Sequence, residues 1–320
     1  MQVSELALIH NLFNVEERIK IGEIMVSNKI LISICVIWLS IGFANAATLN
    51  VGQGQTYTTI QSAIDAAKTG DVISVSEGTY SENIVVKMNG ITITGQNKEK
   101  TIIDGKKTGS VIRIDQANDV KVSGFTVQNS GGSGQSDGGM SLYRANNNEI
   151  ANMILVNNAV GISIYQGSNS NIVSGNDIKS NGKYGVFVFA SNDNKIYNNN
   201  IQGNGFGFYG DTARTNQIYS NNFIDNTNQA YDNSGMNSWD DGKSGNYWSK
   251  YVILGGANAK DNFPLPKPVT IKEEAISTPA QQNTPAGATS AATGKSSPGF
   301  TGIVVIVSLI AIGILRRKRG

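Results

Sequence analysis

The chain predicts an all-β fold, a right-handed parallel β-helix of about 22–24 residues per coil, and three observations carry that prediction. Small polar residues dominate, with 37 Asn beside 36 Gly in 320 residues, whereas helical proteins are built on Ala, Leu, Glu and Lys. An Asn-X-Val/Ile element recurs at Asn118-Asp119-Val120, Asn148-Glu149-Ile150, Asn171-Ile172-Val173, Asn194-Lys195-Ile196 and Asn216-Gln217-Ile218. Between its copies lie short alternating segments such as Gly161-Ile162-Ser163-Ile164-Tyr165, whose apolar side chains all face one way in a strand. A unit this small cannot bury its inward face alone, so copies must stack coil on coil, and parallel crossovers are right-handed.

The elements follow in chain order. Thr58 to Lys68 reads as a short helix: Thr58 or Thr59 caps it, Ile60, Ala63, Ile64 and Ala67 share a face, and Gly70 ends it. It is expected to cover the open N-terminal coil, whose strand edge would otherwise recruit other chains. Strands then follow at Val72–Val75, Ile84–Val86, Ile91–Ile93 and Val111–Ile114. In the repeat, Asn and Gly clusters tolerate left-handed backbone and so permit sharp corners. Eight residues beyond the last three apolar anchors stand Asn181, Asn204 and Asn226, with Asn157 and Asn129 in the corresponding places earlier. Asn stacked at one corner forms amide ladders along the axis. Trp239, Tyr247, Trp248 and Tyr251 are expected to plug the C-terminal end, with the pair Asp240-Asp241 in a turn there.

Outside this body, 47–265, the chain carries three further segments. Residues 1–46 read as an extension plus signal peptide that starts at Met25: Lys29, an apolar run from Ile30 to Gly42, then Ala44 and Ala46 at the −3 and −1 positions of a cleavage site. An uncleaved signal anchor is the alternative. Residues 266–297, rich in Pro, Ala, Thr and Ser, should be a disordered stalk. Residues 298–320 hold Pro298-Gly299-Phe300, an apolar run to Leu315, and Arg316-Arg317-Lys318-Arg319, whose positive charge stays cytoplasmic and leaves the body outside the cell. Both apolar runs are expected to be separate hydrophobic helices. The tripeptide, the run and the basic end in that order resemble the PGF-CTERM sorting tail of archaeal surface proteins. That resemblance implies an archaeosortase-type processing enzyme, beside signal peptidase, and a lipid in place of the tail; an ordinary membrane-spanning anchor is the alternative.

Two stretches of the body carry a second resemblance. Tyr57-Thr58-Thr59-Ile60-Gln61-Ser62-Ala63-Ile64-Asp65-Ala66-Ala67, with Gly70-Asp71-Val72-Ile73 and Gly78-Thr79-Tyr80, resembles the opening of pectin-lyase-like β-helix proteins. Asn237-Ser238-Trp239-Asp240, Gly245-Asn246-Tyr247-Trp248-Ser249-Lys250-Tyr251 and Asp261-Asn262-Phe263-Pro264-Leu265 resemble the close of NosD-like surface proteins of archaea. Together they bracket residues 52–265 and imply the same β-helix. Many such relatives carry an Asp/Asn/Gly-rich loop, suited to calcium, before the final Asp-Asn-aromatic-Pro. Here that place holds Val252 to Lys260, which does not suit a cation.

Composition narrows the function. The body carries 16 Lys/Arg against 18 Asp/Glu, the wrong balance for a nucleic-acid partner. His10 and Cys35 are the only His and Cys, so the predicted mature chain excludes disulfides, Ser-His-Asp chemistry and His/Cys metal sites. The NosD name suggests copper, which favours His, Cys and clustered Met; Met88, Met140, Met153 and Met236 are scattered, so no metal and no cofactor is expected. An enzyme reading, as polysaccharide lyase or glycoside hydrolase, needs converging carboxylates or a basic residue beside one. Asp211 and Arg214 are its candidates. The other reading is a non-catalytic, structural or carbohydrate-binding surface protein. In four segments ending at Tyr143, Tyr165, Phe189 and Tyr209, alternation points the final aromatic outward. These four would form an outward column with Arg144 and Gln166 beside it, a face on which envelope or extracellular polysaccharide stacks. The alternative is a ladder that only stiffens the sheet or lies under the loop Ser130–Gly138.

Overall fold

In the computed structural model, residues 46–132 and 136–272 are described. Three parallel sheets of eight strands each surround one apolar core. Except at the end strands, strand order in each sheet advances in steps of three, so through the repeat the chain visits the sheets in rotation and returns one coil further on. This is the expected right-handed parallel β-helix. The first sheet runs from Thr48–Val51 to Gln217–Tyr219, the second from Gly78–Tyr80 to Tyr247–Trp248, and the third from Ile84–Val86 to Ile253–Gly255.

Register makes the core from like on like. Ile150, Val173, Ile196 and Ile218 are cross-strand partners and wholly buried; so are Leu155, Ile178, Ile201 and Phe223 in the second sheet. Each such side chain is worth about 1.5–3 kcal/mol of burial, none of it available to a single coil.

At the corners, buried Asn form three ladders. One runs Asn148, Asn171, Asn194, Asn216, Asn237, each Nδ2 donating to the next Oδ1 at 2.8–3.0 Å. A second runs Asn176, Asn199, Asn221, Asn246, and a third Asn181, Asn204, Asn226. Two expected positions shift. Asn158, not Asn157, opens the third ladder, through its backbone N–H on Asn181 Oδ1 at 3.1 Å; Asn129 and Asn157 instead take left-handed backbone, φ 61° and 56°. Asn118 falls outside the first ladder, because Val122 rather than Val120 is the partner of Ile150. Its Oδ1 accepts the Asn146 N–H at 2.7 Å. The earlier coil is longer than the repeat: the Val120 N–H reaches an Asn148 28 residues on, against 23 from Asn148 to Asn171.

Helix α1, Ile60–Ala66, closes the N-terminal end with Ile60, Ala63 and Ile64 buried. Thr59 caps it, and the Glu82 carboxylate takes the Ile60 and Gln61 N–H groups at 2.9 and 3.0 Å. At the other end Trp239 is fully buried, edge-on to Phe208 at 5.2 Å, and Trp248 stacks on Phe223 at 4.4 Å. Two buried carboxylates take the indole N–H groups, Asp232 from Trp239 and Asp261 from Trp248. Tyr251 lies perpendicular to Trp248 at 5.5 Å, accepts the Asp261 N–H on its hydroxyl at 3.0 Å, and stays exposed. Asp240 is buried and holds Asn262, while Asp241 lies in an exposed turn where N–H bonds from Ser244 and Lys243 hold its carboxyl below the usual range. The segment expected to begin the stalk stays on the body over 266–272, where Asn222 pairs with Val269 in both directions and Asn198 Nδ2 donates to Lys272 O.

The two segments expected to form hydrophobic helices, Ala44, the rest of the expected stalk and Pro298-Gly299-Phe300 lie outside the described residues. Among the described residues, no helix is long and apolar enough to cross a membrane.

Candidate functional site

The third sheet carries the aromatic face. Its strands Gly138–Tyr143, Val160–Tyr165, Tyr184–Phe189 and Phe206–Asp211 are the longest in the molecule, six residues each. Length matters because a six-residue strand presents two outward positions per coil after its inward ones. Tyr143, Tyr165 and Phe189 are cross-strand partners, as expected, in a column bounded by Asp115 and Asp211. Tyr209 is not in it. Its partner is Phe187, so it belongs to the adjacent column Arg113, Ser141, Ser163, Phe187, Tyr209, Tyr231. Gly207, not Gly205, is the residue that abuts Gly185: a Cβ on Gly185 would lie 2.7 Å from Gly207 O.

The rings gather into two groups. Tyr143 and Tyr165 are 5.1 Å apart. The Arg113 guanidinium sits 4.8 Å over Tyr143, donates to Tyr165 Oη at 2.8 Å, and lies 3.6 Å from Asp115. Arg144 approaches Tyr143 to 5.1 Å. Further along, Tyr184 stacks on Phe187 at 5.1 Å and lies 4.8 Å from Tyr209, which stacks on Tyr231 at 4.7 Å. Desolvation in this cluster, then the neighbouring Tyr184, Tyr231 and Asp211, pushes the Tyr209 hydroxyl above its ordinary range, so it remains a neutral donor at pH 7. Arg144 and Gln166 occupy the exposed corner after the column, with φ 48° and 58°.

The loop before Gly138 covers part of this face: Ser141 is buried and donates to Ser136 O at 2.6 Å, and Lys183 Nζ reaches Gly132 O at 3.2 Å. Tyr143, Tyr165, Phe189 and Tyr209 remain half-buried. The loop therefore borders the aromatic face without sealing it.

Sequence reasoning missed Arg113, Tyr184, Phe187 and Tyr231. Alternation within Val111-Ile112-Arg113-Ile114 already turned Arg113 outward, and within Gly185 to Phe189 it turned Phe187 outward. Tyr184 carried no such signal, since it precedes the strand's glycine.

The enzyme candidates are not brought together. Asp211 accepts from Asn233 Nδ2 at 2.6 Å and from Thr212. Arg214 is exposed, its backbone N–H on Asn192 Oδ1. Among the described residues no ion pair joins the two, and no three His, Cys, Asp or Glu converge.

Solved structures similar to this chain include a pectin methylesterase from carrot, at 15% identity over 71% of this chain and 88% of that one, TM-score 0.43. An alginate lyase from Paenibacillus sp. str. FPU-7 is similar at 14% identity over 69% and 96%, TM-score 0.43. Likeness at this level carries no argument about chemistry. No curated protein matches. The family model that matches, over residues 22–252, is described as "Periplasmic copper-binding protein (NosD)". The described residues of this chain do not fit copper: they include no His or Cys, Met140 and Met153 are sealed in the core, and Met88 and Met236 stand near opposite ends of the solenoid. The match spans most of the chain and nearly all of the β-helix, and the chain belongs to the NosD family.

Proposed function

We propose that this protein is a non-catalytic β-helix of the cell surface that binds envelope or extracellular polysaccharide along its third sheet. The observation that carries this reading is the in-register column of half-buried Tyr143, Tyr165 and Phe189, with half-buried Tyr209 beside it. Coils rise about 4.8 Å apart, so the half-buried rings of this column recur along the axis at a spacing on which the C–H faces of sugar rings stack. Arg144, Gln166 and Asp211 border that column with hydrogen-bonding groups for hydroxyls. Membership of a family described as periplasmic supports a place outside the cytoplasmic membrane. The Pro298-Gly299-Phe300 tail supports anchoring through the C-terminus after export by signal peptidase and trimming by an archaeosortase-type enzyme.

A glycan array tests the binding. The double variant Tyr165→Ser with Phe189→Ser should bind its best glycan at least about tenfold more weakly, a loss of about 1.4 kcal/mol. Tyr197→Ser, on the first sheet, should leave binding unchanged. Equal binding by a folded double variant would remove the site, and release of reducing ends from the bound glycans would restore the enzyme reading.

A further inference from the structure

The fold begins on a carboxylate. Ala47 immediately precedes the first strand, Thr48–Val51, and donates its backbone N–H to Asp71 Oδ1 at 2.8 Å. Its carbonyl accepts the Val72 N–H, also at 2.8 Å. Asp71 is only 7% exposed and its second oxygen takes the Lys68 N–H at 2.8 Å. Among the described residues Oδ1 has Ala47 as its one hydrogen-bond partner. The carboxylate is thus buried with neutral amides around it, an arrangement that leaves a negative charge without a cation.

The sequence places signal-peptide cleavage after Ala46, so the nitrogen held by Asp71 is the one that cleavage would free. We infer that Asp71 is the seat of the mature amino terminus and that processing turns a neutral hydrogen bond into an ion pair that fastens the first coil. The step is hydrolysis of the Ala46–Ala47 amide: water adds its oxygen to the Ala46 carbonyl carbon, the C–N bond breaks, and the leader departs as a carboxylate. Its acid proton and the other water hydrogen end on the Ala47 nitrogen. An α-amine has an ordinary pKa of about 7.7–8.0, so at pH 6.5 it is an ammonium. A charge-assisted bond to a shielded carboxylate is roughly twice as strong as the neutral one it replaces. The ion pair exists only in the processed chain, which makes the exported form the more stable one.

This inference rests on the secretory part of the proposed function and not on glycan binding. The chain from Ala47 to Gly320 is prepared with a free amino terminus and, separately, acetylated there, which restores the neutral amide. At pH 6.5 the free form should melt about 2–4 °C higher, and the gap should vanish in Asp71→Asn. If that variant does not fold, the free and acetylated wild-type pair still decides. N-terminal sequencing of protein from native membranes should begin at Ala47. Equal melting temperatures overturn the ion pair, and a native terminus elsewhere overturns the processing site.

Discussion

Asn199 donates to Val173 O, Tyr197 O and Asn221 Oδ1, all at 2.9 Å, and accepts the backbone and side-chain N–H groups of Asn176. It is wholly buried, so no water can replace these partners. Removing the amide in Asn199→Ala strands the Asn176 donors and the Val173 carbonyl, at about 1–3 kcal/mol for each buried group left unpaired. A total loss of at least about 3 kcal/mol in urea unfolding is expected. Asn157 contrasts with it: exposed, with φ 56°, it serves the corner through its tolerance of left-handed backbone. Asn157→Ala should therefore lose only about 1 kcal/mol, and equal losses at the two sites would mean that the ladder adds nothing to the corner. At this scale the sequence was half legible. Asn at corners was readable from its spacing, but in the pair Asn157-Asn158 both residues are the same type, and only the backbone decides which amide turns inward.

Helix α1 protects an edge as well as covering a core. The Gln61 side chain donates from Nε2 to Val85 O at 3.2 Å and accepts Val85 N–H on Oε1 at 2.8 Å, which completes the ladder at the outermost strand of the third sheet, Ile84–Val86. Gln61→Ala leaves that edge bare, a template for another chain. It should lower stability by about 1–2 kcal/mol and produce dimers or larger species in light scattering; a monomeric variant of unchanged stability would count against edge protection. The helix itself was legible, since Ile60, Ala63 and Ile64 recur at helical spacing, whereas Gln61 lies off that face and nothing in its spacing points to a strand more than 20 residues on. The misplacement of Tyr209 has a different cause. Gly205-Phe206-Gly207-Phe208 is itself of period two, so sliding the segment by two residues keeps every side chain on its face, and alternation cannot detect the slip. Only pairing with Gly185 and Phe187 fixes the register.

A stack of coils behaves as a one-dimensional array in which each coil leans on its neighbours, and its ends are where that support is incomplete. The C-terminal end is closed by Asp261, whose carboxylate takes Asn246 N–H at 2.7 Å, Trp248 Nε1–H at 2.9 Å and Phe263 N–H at 3.0 Å. The aromatic plug was legible from the cluster of Trp and Tyr, but the role of Asp261 was not, because a buried Asp bonded only by neutral N–H groups looks in sequence like any turn residue. Asp261→Ala strands three buried donors and loosens Trp248, which stacks on Phe223 in the coil below. The loss passes from coil to coil through the Asn246, Asn221, Asn199 ladder and the Phe223, Ile201, Ile178 stack. Hydrogen exchange followed by mass spectrometry should therefore show protection falling most in 217–265, less in 172–202, and not at all in 48–104. A uniform fall along the chain would mean that the solenoid unfolds as a single cooperative block, and that its ends hold no more of its stability than its middle.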